Sequence, residues 1–232
     1  ARPIYLSFVL DGILRAAQNA RILFLTTPHN PTGLALTAEQ IEKIMAETKN
    51  LVVLDEAYAE FSEETFLPLL SRYDNLIILR TFSKAFRFAG GRFGYLAGKP
   101  DMVKALKAAR LPFSVGLFQQ IAAEVLLEEK DFILKEVKKI VAERERLFHQ
   151  LKALSSFKPI PSKANFLLVE SSLLEAREVY NRLLRKKILV RVFCSPELRY
   201  RFRVTVGQPG ENDLLVKALS EIEMEVRNGK KS

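Results

Sequence analysis

The stretch "TFSKAFRFAGGRFGY", residues 81–95, follows an apolar run and places a lysine among small and hydroxyl side chains. Lys84 comes directly after Ser83, and Arg92 stands further along the same stretch. A lysine amine attacks a carbonyl group only when it is deprotonated, and a nearby cation favours that form. Arg92 is such a cation, and together with Thr81 and Ser83 it also supplies donors that suit phosphate oxygens. The stretch therefore predicts a lysine that does covalent chemistry beside a bound phosphate.

Three short apolar runs, at 21–26, 51–54 and 75–80, alternate with helical patterns. One of these patterns opens with a capping box, in which Thr37 is the N-cap and Gln40 is its partner. Continuous apolar runs between helices are typical of parallel strands that are covered on both faces. The sequence therefore predicts an α/β fold with a mainly parallel sheet.

Each of these runs leads into a polar segment, namely "TPHNPTG", "DEAYAEF" and "TFSKAF". Ligands of parallel sheets bind at the carboxyl ends of the strands, so these segments predict a binding site. The chain has neither a G-x-G-x-x-G after a strand nor a G-x-x-x-x-G-K-[ST], which argues against dinucleotides and P-loop nucleotides. A carboxylate such as Asp55 would keep a ring nitrogen protonated. With Lys84 and the phosphate donors, it describes a site for pyridoxal 5'-phosphate (PLP).

The pattern changes after Gly98, where two helical segments lead into a long amphipathic helix from about 131 to 154. The remainder alternates strands and helices in a smaller α/β pattern. We predict a partial large PLP-binding domain over 1–130. The small C-terminal domain, 131–232, would be entered through the long helix.

The amino-acid composition argues against nucleic-acid binding, a membrane location and a metal site. Residues 131–232 hold 21 basic and 13 acidic side chains, so most of the net charge of +9 lies there. These charges are mixed along helices and lack an aromatic nucleic-acid motif, so we expect no nucleic-acid partner. No run is apolar enough to cross a membrane, and we identify no signal peptide. A single cysteine fits a reducing, cytoplasmic location, and two histidines are too few to predict a metal site.

Six segments carry a resemblance to a known family: "PHNPTG", "VVLDEAYAEF", "RTFSKAFRFAGGRFGY", "RLPFSVG", "SKANFLLVE" and "RFRVTVGQPGENDLLVKAL". In these segments and their order, which span nearly the whole chain, it resembles the class I/II PLP-dependent aminotransferases of fold type I. The resemblance is greatest to their histidinol-phosphate aminotransferase group. It implies a large domain incomplete at its N-terminus, a small C-terminal domain and a homodimer. The implied reaction, in histidine biosynthesis, converts histidinol phosphate and 2-oxoglutarate to imidazole acetol phosphate and glutamate.

The resemblance also implies roles for individual residues. Lys84 would form a Schiff base with PLP and later move a proton at the substrate α-carbon. The other cofactor contacts would come from Asp55 at the ring nitrogen, Asn30 and Tyr58 at the 3-oxygen, and Thr81, Ser83 and Arg92 at the phosphate. Arg203 would clamp the substrate α-carboxylate, with Asn165 nearby. The small-molecule partners would be an amino acid or an amino alcohol phosphate and a 2-oxo acid.

Two departures from the family stand out. Gly91 occupies a position that usually holds a larger apolar residue, which we expect to loosen the turn without moving Arg92. The chain also shows no counterpart of the family's preceding segment, which supplies a phosphate-binding glycine loop and a ring-stacking aromatic residue. We therefore expect a fragment or a processed product, with poor activity by itself.

Other interpretations stay open from the residues alone. Asp55 also suits a cap, the 30–33 segment is a turn in any fold, and Tyr58 also suits packing. Arg201 and Arg203 alternate along one strand face, and simple solvation explains one of them. An aromatic amino acid aminotransferase or a threonine-phosphate decarboxylase uses similar motifs. More remotely, the chain could be a non-catalytic basic binding module.

Overall fold

The computed structural model describes residues 10–18 and 20–229, which divide into two compact units. The N-terminal unit comprises the described residues up to Asn30 together with Leu34–Val137. The C-terminal unit comprises Pro31–Gly33 and the described residues from Lys138 onward. The sequence placed the boundary at 130, and the structure divides the chain inside the same long helix. None of the described helices is long and apolar enough to span a bilayer.

The N-terminal unit is built on a four-stranded sheet in the order β1-β2-β3-β4. Its strands are β1 (Ile22–Thr26), β2 (Leu51–Asp55), β3 (Leu76–Thr81) and β4 (Gly94–Gly98). The first three strands pair in parallel, as the apolar runs predicted, whereas β4 pairs antiparallel to β3. The carboxyl ends of β1, β2 and β3 therefore meet at one edge of the sheet.

Helices and short 3₁₀ turns complete this unit. The helices are α1 (Leu10–Gln18), α2 (Ala38–Glu47), α3 (Ala59–Ser62), α4 (Pro100–Ala109), α5 (Leu117–Glu128) and the first part of α6 (Lys130–Lys152). Short 3₁₀ turns cover Leu67–Ser71 and Ala89–Gly91. The predicted capping box at the start of α2 is confirmed, because Thr37 accepts from the Gln40 backbone and Gln40 accepts from Thr37 N.

The two faces of this sheet differ in cover. The face that includes Leu54 and Ile78 packs against α1, α2 and the segment from Phe66 to Leu69, where it forms the core. The opposite face leaves Phe24 69% exposed. Because side chains alternate along a strand, Asp55 and Thr81 lie on this second face.

The C-terminal unit has its own sheet and core. Its strands are β5 (Phe157–Pro159), β6 (Phe166–Ser171), β7 (Arg191–Val192) and β8 (Arg201–Thr205), in the order β5-β6-β8-β7. All three pairings are antiparallel. The helices α7 (Ala176–Arg185) and α8 (Pro209–Gly229) follow in the chain, and residues of both pack against the sheet.

The loop from β3 to β4 is a tight structure with two strained residues. Arg87 has φ 55° and Arg92 has φ 52°, a left-handed conformation that non-glycine residues rarely adopt. At Gly91 an added Cβ would lie 2.0 Å from the Phe88 ring. The ring of Phe88 thus occupies the space that a larger residue at 91 would take, and Gly91 N donates to Phe88 O at 3.2 Å.

Replacing Arg87 by glycine (Arg87→Gly) is expected to stabilise the protein by about 0.5–1 kcal/mol, because glycine adopts a positive φ without the Cβ clash. Urea unfolding measures the change. The same replacement at Arg72, which has φ −99°, serves as the control and is expected to destabilise. Equal effects at the two positions would contradict a strained Arg87.

Candidate functional site

The candidate site lies at the carboxyl ends of β1, β2 and β3. Asp55 is the last residue of β2 and pairs with Thr26 on one side and Leu79 on the other. Thr81 ends β3 two positions beyond Leu79, so its side chain lies on the same face as Asp55. The sheet thus brings a carboxylate and a hydroxyl group together from two neighbouring strand ends.

The Asp55 carboxylate is held by its own turn. Its Oδ1 accepts a hydrogen bond from Ala57 N at 3.0 Å, and its backbone oxygen accepts from Thr27 N at 3.0 Å. Within the described residues, Oδ2 has no hydrogen-bond donor. One oxygen therefore orients the carboxylate, and the other is available to a ligand.

Lys84 and Tyr58 are close to each other. Lys84 Nζ lies 5.4 Å from the centre of the Tyr58 ring, and the ring itself is buried. Tyr58 is the N-cap residue of α3, so the turn after β2 and the turn after β3 meet at this contact. The half-buried lysine amine therefore lies over an aromatic face, within the distance of a cation–π contact.

The turn around Lys84 is fixed by backbone and aromatic contacts. Ser83 N donates to Thr81 Oγ1 at 3.1 Å, and Arg87 N donates to Lys84 O at 3.1 Å. Phe82 is fully buried, and its ring lies against those of Phe86, Phe93 and Tyr95 at centroid distances of 4.7, 4.9 and 6.2 Å. The lysine is therefore carried by an ordered aromatic anchor rather than by an open loop.

Arg92 and Asn30 lie at the margins of this site. Arg92 is exposed and donates to Ala89 O at 3.3 Å, while the next residue, Phe93, accepts from Thr81 Oγ1 at 3.4 Å. Asn30 is exposed and is the residue at which the first segment of the N-terminal unit ends. The structure therefore places both residues in loops that begin or return near the strand ends.

The two predicted substrate residues belong to the C-terminal unit. Asn165 directly precedes β6, and its backbone oxygen accepts from Val206 N at 3.0 Å. Arg203 lies in β8, where its guanidinium carbon is 4.9 Å from the centre of the Phe166 ring. Both are thus placed at neighbouring strands of the second sheet.

A group of buried charges lies behind the strand ends, and sequence reasoning did not identify it. We call Glu56, Arg80 and Glu60 the buried ion cluster. Their side chains are 1%, 10% and 12% exposed. Two of the three apolar runs do end beside charged residues, Glu56 after 51–54 and Arg80 at the end of 75–80. Their pairing with each other and with Glu60 becomes visible only in three dimensions.

The buried ion cluster is held together by the guanidinium of Arg80. Its Nε donates to Glu56 Oε2 at 2.9 Å, and one terminal nitrogen donates to Glu60 Oε1 at 2.8 Å. The other terminal nitrogen donates to Thr65 Oγ1 at 2.8 Å, and Thr65 in turn donates to Glu56 Oε2 at 3.0 Å. Glu56 Oε1 accepts from Phe66 N at 2.7 Å. One arginine thus connects β2, β3 and the segment around α3.

Comparisons with known proteins show what this chain is similar to. A family model described as aminotransferase class I and II matches residues 9–219. The chain is 46% identical over 218 residues to histidinol-phosphate aminotransferase 1 of Carboxydothermus hydrogenoformans, covering 93% of this chain and 61% of that protein. It is 43% identical to the histidinol-phosphate aminotransferase of Thermococcus gammatolerans, covering 95% of this chain and 62% of that protein. The chain therefore spans about three fifths of the length of these relatives.

A solved structure shares the fold closely. The histidinol-phosphate aminotransferase of Sinorhizobium meliloti, in complex with PLP, is 30% identical with a TM-score of 0.84. The match covers 94% of this chain and 61% of that one.

Replacing Glu60 by glutamine (Glu60→Gln) is expected to raise the free energy of unfolding at pH 7. Burial raises the pKa of Glu60, so the folded state holds this proton more tightly than the unfolded state does. The stability that the proton contributes is complete below the ordinary pKa of 4.5 and is lost as the pH rises through the folded pKa. The amide side chain of the variant does not ionise, so its stability is not lost as the pH rises. The difference in the free energy of unfolding between the variant and the parent protein should therefore shrink as the pH falls toward 4.5.

Urea unfolding at several pH values measures this difference. Glu42→Gln is the matched control, because Glu42 also pairs with an arginine, Arg72, but is 43% exposed. We expect the control to change stability little. If Glu60→Gln were no more stable than the parent protein at pH 7, the cost of the buried Glu60 charge would be disproved.

Proposed function

Because this chain belongs to the aminotransferase class I and II family, we propose that the protein acts as a histidinol-phosphate aminotransferase. The proposed reaction passes the amino group of histidinol phosphate to 2-oxoglutarate and yields imidazole acetol phosphate and glutamate. The single observation that carries the proposal is the meeting of Lys84 Nζ with the Tyr58 ring, at 5.4 Å, beside the strand ends that hold Asp55 and Thr81. The names of the relatives support the choice of substrate.

The residues of the N-terminal unit fit PLP in the chemistry of their donor and acceptor groups. A ring N–H requires an acceptor, which Asp55 Oδ2 supplies. The 3-oxygen would be held by Tyr58 and Asn30, and the phosphate by Thr81, Ser83 and Arg92. When it is bound, the cofactor supplies an electron sink for charge on the reacting carbon.

Lys84 has two proposed roles. Its Nζ would be the amine that holds the cofactor, and it would also take the proton from the substrate carbon that bears the amino group. The buried Tyr58 ring lies beneath the lysine amine, with its centre 5.4 Å from Nζ. Lys84 is therefore the proposed catalytic residue.

Substrate contacts are proposed for the C-terminal unit, which would be the small domain of the enzyme, as the N-terminal unit would be part of its PLP-binding domain. A planar guanidinium binds a carboxylate through two parallel hydrogen bonds, so Arg203 would clamp the α-carboxylate of glutamate or 2-oxoglutarate. Asn165 would add a further polar contact.

We also propose that the protein is a cytoplasmic homodimer. Large exposed apolar surfaces often mark protein interfaces, and the N-terminal unit leaves Phe113 and Phe118 97% and 87% exposed. A single cysteine forms no internal disulfide, which supports a reducing compartment.

A second candidate function has a specific observation in its favour. The L-threonine-O-3-phosphate decarboxylase of Porphyromonas gingivalis has a TM-score of 0.80 and 25% identity, covering 87% of this chain and 64% of that one. The same lysine, carboxylate and phosphate donors serve loss of carbon dioxide as well as amino transfer. The reaction products therefore distinguish the two functions.

A substrate panel tests the proposed function. The protein is supplied with PLP and 2-oxoglutarate, and then with histidinol phosphate, phenylalanine or threonine phosphate. We expect glutamate to form fastest with histidinol phosphate, and no carbon dioxide to be released from threonine phosphate. Preference for phenylalanine would replace the proposed substrate, and carbon dioxide without glutamate would establish the decarboxylase instead. A Lys84→Ala control should abolish either product.

A further inference from the structure

The buried ion cluster lies directly behind the residues proposed to hold the cofactor. Glu56 follows Asp55, and Arg80 precedes Thr81. Because successive strand residues point to opposite faces, Arg80 points away from the face that carries Thr81. Glu56 and Arg80 are thus one residue removed from the proposed cofactor contacts in the chain, and Glu60 is two residues from Tyr58.

We propose that Glu56, Arg80 and Glu60 are positioning residues that fix Asp55, Tyr58 and Thr81 relative to one another. The inference rests on the proposed function, because only that function assigns Asp55, Tyr58 and Thr81 to one cofactor site. The cluster itself would not touch the cofactor.

The contacts of the cluster show how it would act. Arg80 connects the end of β3 to Glu56 at the end of β2 and to Glu60 inside α3. Glu56 N also donates to Leu79 O at 2.9 Å, which continues the pairing of the strands beyond Asp55. The guanidinium therefore holds three backbone segments at once, and each segment carries one proposed cofactor contact.

Stability alone does not account for such an arrangement. Buried ion pairs gain little net stability over well-packed apolar side chains, because desolvation of the charges offsets their attraction. Here two carboxylates face one guanidinium, and Glu60 Oε2 has no hydrogen-bond partner among the residues that the structure describes. The directional fork of an arginine does, however, fix distances and angles that apolar packing leaves free.

Two variants separate positioning from stability. Glu60→Gln keeps the size of the side chain and is expected to stabilise the fold, yet it weakens one contact to the guanidinium. Arg80→Lys keeps the charge but loses the planar fork that reaches all three partners. The matched controls are Glu42→Gln and Arg72→Lys, which alter an exposed arginine–glutamate pair in the same unit.

The readouts are cofactor binding and local backbone motion. Each protein is titrated with PLP, reduced with borohydride, and the adduct on Lys84 is quantified by peptide mass per folded molecule. Hydrogen exchange of the backbone amides 56–60 is followed without PLP. We expect the half-saturating PLP concentration to rise about tenfold for Arg80→Lys and roughly threefold for Glu60→Gln, with faster exchange in both. The two controls should match the parent protein.

The test of positioning is whether stability and PLP affinity change in opposite directions in the Glu60→Gln variant. A Glu60→Gln variant that is more stable but binds PLP more weakly supports positioning, since a purely structural cluster would move both together. Unchanged binding and unchanged exchange would overturn the inference and leave the proposed function standing. If the Arg80→Lys variant does not fold, the PLP affinity and amide exchange of the Glu60→Gln variant alone test the inference. If the parent protein forms no adduct on Lys84, the proposed function fails, and the positioning inference, which rests on it, fails with it.

Discussion

The parallel pairing of β2 with β3 is the constraint on which the candidate site depends. It brings the residues after two apolar strands to one edge of the sheet, where Asp55 and Thr81 lie on the same face. Strand ends carry backbone groups that no further strand satisfies, and here Glu56 N and Thr27 N use the oxygens of Leu79 and Asp55. Tight turns can therefore follow each strand, and these turns carry Tyr58 and Lys84.

The two faces of the N-terminal sheet carry different kinds of side chain. One face holds the apolar core and, at its carboxyl end, the charges of Glu56 and Arg80. The other holds the polar groups proposed for the cofactor. Burial of charges so close to the core is costly unless each has a partner, and the Arg80 guanidinium supplies partners to both glutamates. The buried charges thus lower the stability of the fold but fix the geometry of the strand ends, a trade-off that is common at functional sites.

Much of this fold could be predicted from the sequence, because its main strands are continuous apolar runs. The strands predicted at 21–26, 51–54 and 75–80 are confirmed as β1, β2 and β3, each within one residue at either end, and the capping box of α2 is confirmed as well. The strand β4 was not predicted, since "GYLAG" contains two glycines and becomes a strand only through pairing with β3.

The site could be predicted less fully. Lys84, Asp55 and Tyr58 were named from motifs, and the structure brings them to one edge, whereas their roles toward PLP stay predictions. The contacts of Arg80 could not be read from the chain, because Glu56 and Glu60 lie 24 and 20 residues away in sequence. Residues so far apart pair only once the sheet has formed.

The central claim is that Lys84 carries PLP, and one measurement tests it most directly. The protein is mixed with PLP, reduced with borohydride and digested, and the added mass is located among the peptides. The account predicts a single adduct on Lys84. An adduct spread over exposed lysines, or one on another residue while Lys84 stays unmodified, would contradict it.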